Sequence, residues 1–202
     1  MKTLPLALVF ASFLGTSCAL TPQSVTLRPK VEVAATILGQ GRTVGLTVVD
    51  ERPRSIVGYR GVGGGAYGGY GFGATITTAG DLPSVVQASL ANGLKRHGFN
   101  PVTGQVPEGR ELRAEIRGLD YTISQAIFSH TLRTESTLKG ICVIGTTRPY
   151  EKTYRGEYEE NFHIVPTDSA NEEYLNLVLS LAIQSLLQDT QLIQCLAGSA
   201  SG

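Results

Sequence analysis

Tryptophan is absent, methionine occurs once as Met1, and the 202 residues hold three histidines, three cysteines and equal charge of both signs, 17 Lys and Arg against 17 Asp and Glu. Each shortage removes a class of function. Balanced charge without a long run of either sign supplies no electrostatic footprint for nucleic acid, whose binding rests on clustered Lys and Arg. His97, His130 and His163 are scattered and Cys142 has no CxxC partner, so no metal centre or other cofactor is expected. No apolar run reaches the roughly 20 residues that a spanning helix requires.

What is present begins with Lys2, the apolar run Leu4 to Leu14 and then Gly15-Thr16-Ser17-Cys18. A basic start, a short apolar stretch and small residues read as an export signal. Ending in a cysteine, it reads as a lipoprotein signal over residues 1–17, with Cys18 the first mature residue and the acyl carrier. Ordinary cleavage between Ser17 and Leu20, with Cys18 incidental, is the other reading. Ala19 after the cysteine points to the outer membrane, facing the periplasm. The expected partners are outer-membrane lipid, through the N-terminal acyl anchor, and an envelope protein. Cys142 and Cys195 then remain as a disulfide pair for an oxidising compartment, or else Cys142 is a small buried apolar residue and Cys195 lies near a frayed end.

About 180 mature residues suit one core. Residues 18–42 read as lipidated N-terminus and tether, with Pro22 and Pro29 keeping Thr21 to Lys30 extended. The domain is expected over 43–197, and 198–202 as a disordered tail. Thr43 to Val49 is a near-continuous apolar strand closed by Asp50-Glu51-Arg52-Pro53. Residues 58–73 form a glycine and aromatic-rich loop. Gly63, Gly65 and Gly68 satisfy GxGxxG, but more glycine follows where the motif requires a helix, so the nucleotide-binding reading fails on context. Tyr59, Tyr67, Tyr70 and Phe72 either pin this loop to the surface or dock on a partner.

Asp81 caps a helix whose Leu82, Val86, Leu90 and Leu94 make one apolar stripe, ending at Lys95-Arg96-His97-Gly98. His97 reads as a cation at the helix end in preference to a catalytic base. Three strands of period two follow: Leu112 to Ser124 with a phase slip at Gly118, His130 to Ile144, and Tyr150 to Val165. Glu157 and Glu159 face outward with Arg113, Arg117, Arg133 and Lys139, and cross-strand pairing accounts for them more simply than a glycosidase or calcium site. The last helix spans Asn171 to Asp189, capped by Ser169 or Asn171. It is apolar apart from a stripe of Asn176, Ser180, Gln184 and Gln188. Asp50 beside Arg52 reads as a turn at a strand end in preference to a functional pair.

The signal ending in Cys18, the strand end Val48-Val49-Asp50-Glu51-Arg52, the helix end His97-Gly98-Phe99, the run Tyr154-Arg155-Gly156-Glu157-Tyr158 and the end Leu187-Gln188-Asp189-Thr190 together resemble the YajG family of uncharacterised bacterial lipoproteins. The resemblance implies an outer-membrane lipoprotein of unassigned function and carries over no catalytic residue; the glycine-rich loop is longer than in shorter forms of the family. The expectation is a single α+β domain, a mixed or antiparallel sheet in β-α-β-β-β-α order with two helices on one face. A non-enzymatic envelope interaction or scaffold module is expected, acting through the open sheet face or the loop. A small-molecule or lipid-binding module is the alternative, and an enzyme the weakest reading.

Overall fold

The computed structural model describes residues 21–60, 74–106, 109–125, 130–163 and 166–198. Its trunk is β6 (Arg110–Gln125), which pairs along one edge with β7 (His130–Ile144), itself paired with β8 (Thr147–Phe162), both antiparallel. These three long strands follow the alternation of apolar and charged residues, and the β6 register slips between Ile116 and Gly118 as the change of phase requires.

The other edge of β6 holds two strands in succession. β2 (Thr43–Asp50) runs parallel to its first half, Asp50 opposite Ile116, and β3 (Gly58–Arg60) meets its second half, Gly58 opposite Tyr121. The bulge lies between them. Gly58 is required there, because a Cβ would stand 2.1 Å from the Tyr121 carbonyl oxygen. Outside β2 lies β5 (Asn100–Thr103), parallel to it; outside β3 lies antiparallel β4 (Ala74–Ala79), and β1 (Gln23–Thr26) completes that side parallel to β4.

Three helices pack on the face that carries Leu112, Ala114, Ile116, Leu138 and Cys142. They are α1 (Leu82–Arg96), α2 (Asp168–Leu187) and α3 (Thr190–Ala197), and one core joins them to the sheet. The α1 stripe Leu82, Val86, Leu90 and Leu94 is buried as its spacing predicts. Each such leucine contributes about 1.5–3 kcal/mol by leaving water. Where α2 crosses β8 the backbones touch: a Cβ on Gly156 would lie 2.0 Å from the Val178 carbonyl oxygen.

The class is α+β in one domain, with a mixed, curled sheet, but the order differs from expectation. Strands β1, β3, β4 and β5 and helix α3 are additional, so the order is β-β-β-β-α-β-β-β-β-α-α and three helices cover the face. The added strands have only four, three, six and four residues, too short for a periodic signal. The tether expected over 18–42 is also corrected. Val25, Leu27 and Val33 are buried, so the domain begins by Gln23. Tyr59 belongs to β3 and not to a loop; Tyr67, Tyr70 and Phe72 lie outside the described residues, as do Cys18 and residues 199–202. Thr167, not Ser169 or Asn171, caps α2, and Gly198 closes α3 with φ 72° in place of a disordered start.

Candidate functional site

The polar stripe of α2 meets the incoming chain. Thr26 N–H donates to Glu172 Oε2 at 3.0 Å, Arg28 N–H to Asn176 Oδ1 at 2.5 Å, and Lys30 N–H to Ser180 Oγ at 2.9 Å; Asn176 Nδ2 returns a bond to the Thr26 carbonyl at 3.1 Å. The match is geometric. Two residues of extended chain rise about 6.6 Å and four residues of helix about 6 Å, so every second amide of the strand finds every fourth side chain of the helix. At the upper end Gln23 Nε2 donates to the Asp168 carbonyl at 2.7 Å, Asn171 Nδ2 to Gln23 Oε1 at 2.9 Å, and Tyr121 Oη to Asn171 Oδ1 at 2.6 Å.

Beside this seam runs an open groove of about 530 Å³. Arg28 and Lys30 stand on one side, Glu172 and Glu173 belong to the helix, and Leu177 shows 38% of its surface. Tyr158 and Tyr174 stack with ring centres 5.0 Å apart and both donate to Glu160 Oε2, at 3.1 and 2.6 Å. That carboxylate, together with burial, raises the Tyr174 phenol to about 12. These tyrosines stay protonated donors and supply no base.

His97 is not a helix-end cation at the surface. Its ring is buried: Nε2 lies 2.9 Å from the Leu187 carbonyl and Nδ1 3.0 Å from Thr36 Oγ1. A carbonyl only accepts, so Nε2 carries the proton, and Nδ1 of the neutral ring accepts from Thr36. Burial lowers the pKa against the opposing pull of the Leu187 carbonyl, favouring that neutral form. The residue pins α1, α2 and the 34–41 segment together.

At the opposite end Asp189 caps α3 and gathers Tyr150 Oη at 2.8 Å, Lys152 Nζ at 2.8 Å and Tyr154 Oη at 3.1 Å. Burial alone would raise its carboxyl; the Lys152 ammonium, the Leu192 amide and the two phenols outweigh it and hold the group at about 2. Cys142 and Cys195 form a disulfide beside it, with Cα atoms 6.4 Å apart.

The outer sheet face is a lattice of ion pairs. Arg113 and Arg117 both reach Glu115, Lys139 pairs with Glu151 at 2.9 Å, and Arg133 with Glu157 at 3.9 Å. Glu157 therefore sits as its pattern predicts. Asp50 binds Arg52 through two oxygens, at 2.7 and 2.8 Å, and also accepts the Arg52 amide; the guanidinium holds its carboxyl below the usual range. Among the described residues no group of three His, Cys, Asp or Glu converges as metal ligands, and no helix is long and apolar enough to cross a membrane.

A family model described as an uncharacterised lipoprotein, Lipoprotein_16, matches residues 29–197. The chain belongs to that family. No curated protein matches it. Among solved structures, protein XCC0632 from Xanthomonas campestris, of the family DUF330, aligns with TM-score 0.59 and 11% identity over 89% of this chain and 99% of the other. A minor lipoprotein from Acinetobacter baumannii aligns with TM-score 0.47 and 9% identity over 78% and 91%, and the lipoprotein GNA1162 from Neisseria meningitidis with TM-score 0.34 and 11% identity over 64% and 90%. The first shows a shared fold and nothing of activity.

The family match starts at Pro29, inside the segment that α2 holds, and ends at the last residue of α3. Sequence reasoning identified the polar stripe of α2 but not what it holds. Its spacing of four was the signal, and the alternation Val25, Leu27 before it the complement. The groove had no sequence signal, because Arg28 and Lys30 meet Glu172 and Glu173 only through tertiary packing.

Proposed function

We propose that this lipoprotein is of the YajG type, acylated at Cys18, held in the outer membrane facing the periplasm, and that it acts without catalysis by holding an extended segment of an envelope protein in the groove along α2. The groove carries this reading. It is open, it sets Arg28 and Lys30 against Glu172 and Glu173, and it offers Leu177 together with the stacked Tyr158 and Tyr174. Such a mixture suits a peptide with an apolar side chain between charges of both signs. Small-molecule sites instead bury most of their ligand. Glu172, Tyr158 and Tyr174 beside it serve as bonded donors and acceptors.

Two measurements test this. Intact mass and membrane fractionation of wild type beside Cys18→Ala decide the anchor: acyl mass and outer-membrane sedimentation are expected for wild type alone. A photo-crosslinking residue at Leu177 is expected to capture one recurrent envelope protein in cells, whereas the same residue at Thr153 on the outer sheet face captures none. Equal capture at both positions contradicts the groove.

A further inference from the structure

We infer that the end of the sheet at which β1 begins faces the lipid surface, so that the domain stands on the membrane with the β7–β8 turn and α3 pointing away. This rests on acylation at Cys18. From Cys18 to Gln23 the chain spans at most roughly 18 Å fully extended. Gln23 cannot lengthen that leash by swinging out. Its side chain is buried and bonded to Asp168 and Asn171, and its backbone pairs opposite Ile76.

The sheet register carries the level of Gln23 across the molecule. Ile76 lies opposite Gly58, Gly58 opposite Tyr121, Tyr121 opposite Thr134, and Thr134 opposite Tyr158. Beyond this line, on the side of the anchor, β6 continues from Tyr121 to Gln125, β7 starts at His130 instead of Thr134, and β8 continues from Tyr158 to Phe162. Each overhang is four residues of strand, about 13 Å. A leash of roughly 18 Å that starts beside a 13 Å overhang leaves the strand ends within a few ångströms of the surface even when taut. Lying on the flank is the competing pose. That flank sets Glu172 and Glu173 beside Arg28 and Lys30, so its charges balance and offer lipid phosphates no net attraction.

Because the chain has no tryptophan, a single introduced one reports its own position. Ser124 sits on the overhang, Thr146 in the β7–β8 turn and Leu177 on the flank, all with exposed surface. The acylated proteins Ser124→Trp, Thr146→Trp and Leu177→Trp are bound to phosphatidylcholine vesicles that contain a headgroup-nitroxide lipid. Loss of fluorescence is expected for Ser124→Trp alone. Equal loss at Thr146 or Leu177, or no loss at any position while all three float with the vesicles, overturns the orientation. Inserting twenty Gly and Ser residues between Leu20 and Thr21 adds about 25 Å of reach and is expected to abolish the Ser124 loss; a loss that persists overturns the leash as its cause. A wild type without acyl mass that fails to float overturns the anchor itself, which the mass spectrum shows separately.

Discussion

The two ends of α2 are fastened by different chemistry. At its start, the seam from Gln23 to Lys30 is made of amides, hydroxyls and one carboxylate bonded to backbone N–H groups. At its end, beyond Gln188, a disulfide and the buried Asp189 with Lys152, Tyr150 and Tyr154 hold α3 to β7 and β8. The first fastening depends on geometric fit, with Glu172 its one acceptor open to pH and nothing in it open to redox state. The second depends on both. The end at which Gln23 enters is thereby nearly insensitive to conditions, while the distal end has the strength and the lability of covalent and ionic links.

Breaking the distal link is expected to cost most. Cys142 and Cys195 are separated by 53 residues, and opening a loop of that length releases about 4 kcal/mol of chain entropy in the unfolded state. Cys142→Ser with Cys195→Ser, or reduction of wild type, should lower the denaturant midpoint by a corresponding amount while the Thr26, Arg28 and Lys30 amides stay protected. Gly156→Ala should come close behind, since the α2 backbone must retreat from β8. Its loss is expected in thermal unfolding, with about 1–3 kcal/mol as the scale of an overpacked core.

At the seam, Asn176→Ala removes the acceptor of the Arg28 amide and the donor to the Thr26 carbonyl. About 1–3 kcal/mol is expected for backbone groups left unpaired, with fraying confined to residues 23–30 in hydrogen exchange. Acid separates the two fastenings. Asp189 is held at about 2 against an ordinary 3.8, so its contribution is complete above pH 3.8 and vanishes as pH falls towards 2. Acid unfolding of Asp189→Asn should lack this component. The smallest effect is expected at His97. Its pKa is lowered from 6.5, so the unfolded chain takes up the proton first and stability falls as pH drops below 6.5, a slope that His97→Gln should flatten. In the opposite sense, Thr134 Oγ1 is buried without a hydrogen-bond partner among the described residues. Thr134→Val should stabilise the fold by about 1 kcal/mol of relieved desolvation, read as a higher melting temperature.

These regions also differ in how much of them the sequence displays. α1, β6, β7 and β8 are long and repeat with a regular period, so Leu82 to Leu94, the slip at Gly118 and the outward Arg133 and Glu157 can be read directly. β1 cannot, because its four residues stand between Pro22 and Pro29 and its partners, Ile76 and the α2 stripe, are distant in the chain. His97 shows the same limit. Beside Lys95 and Arg96 it has the pattern of a helix-end cation, and only the approach of the Leu187 carbonyl and Thr36 makes it a buried neutral pin. Asp189 reads as a helix end, and Tyr150, Lys152 and Tyr154 converge on it only through the packing of the α2–α3 junction against β8.

The chain from Gln23 to Lys30 belongs to the domain, which leaves the proposed anchor at Cys18 only a short leash. Amide hydrogen exchange at Thr26, Arg28 and Lys30 tests it most directly. Protection comparable to the β6 and β7 amides in wild type, lost in Asn176→Ala with the rest of the molecule unchanged, is the predicted result. Exchange at the rate of free peptide in wild type would return this segment to a flexible tether and contradict the account.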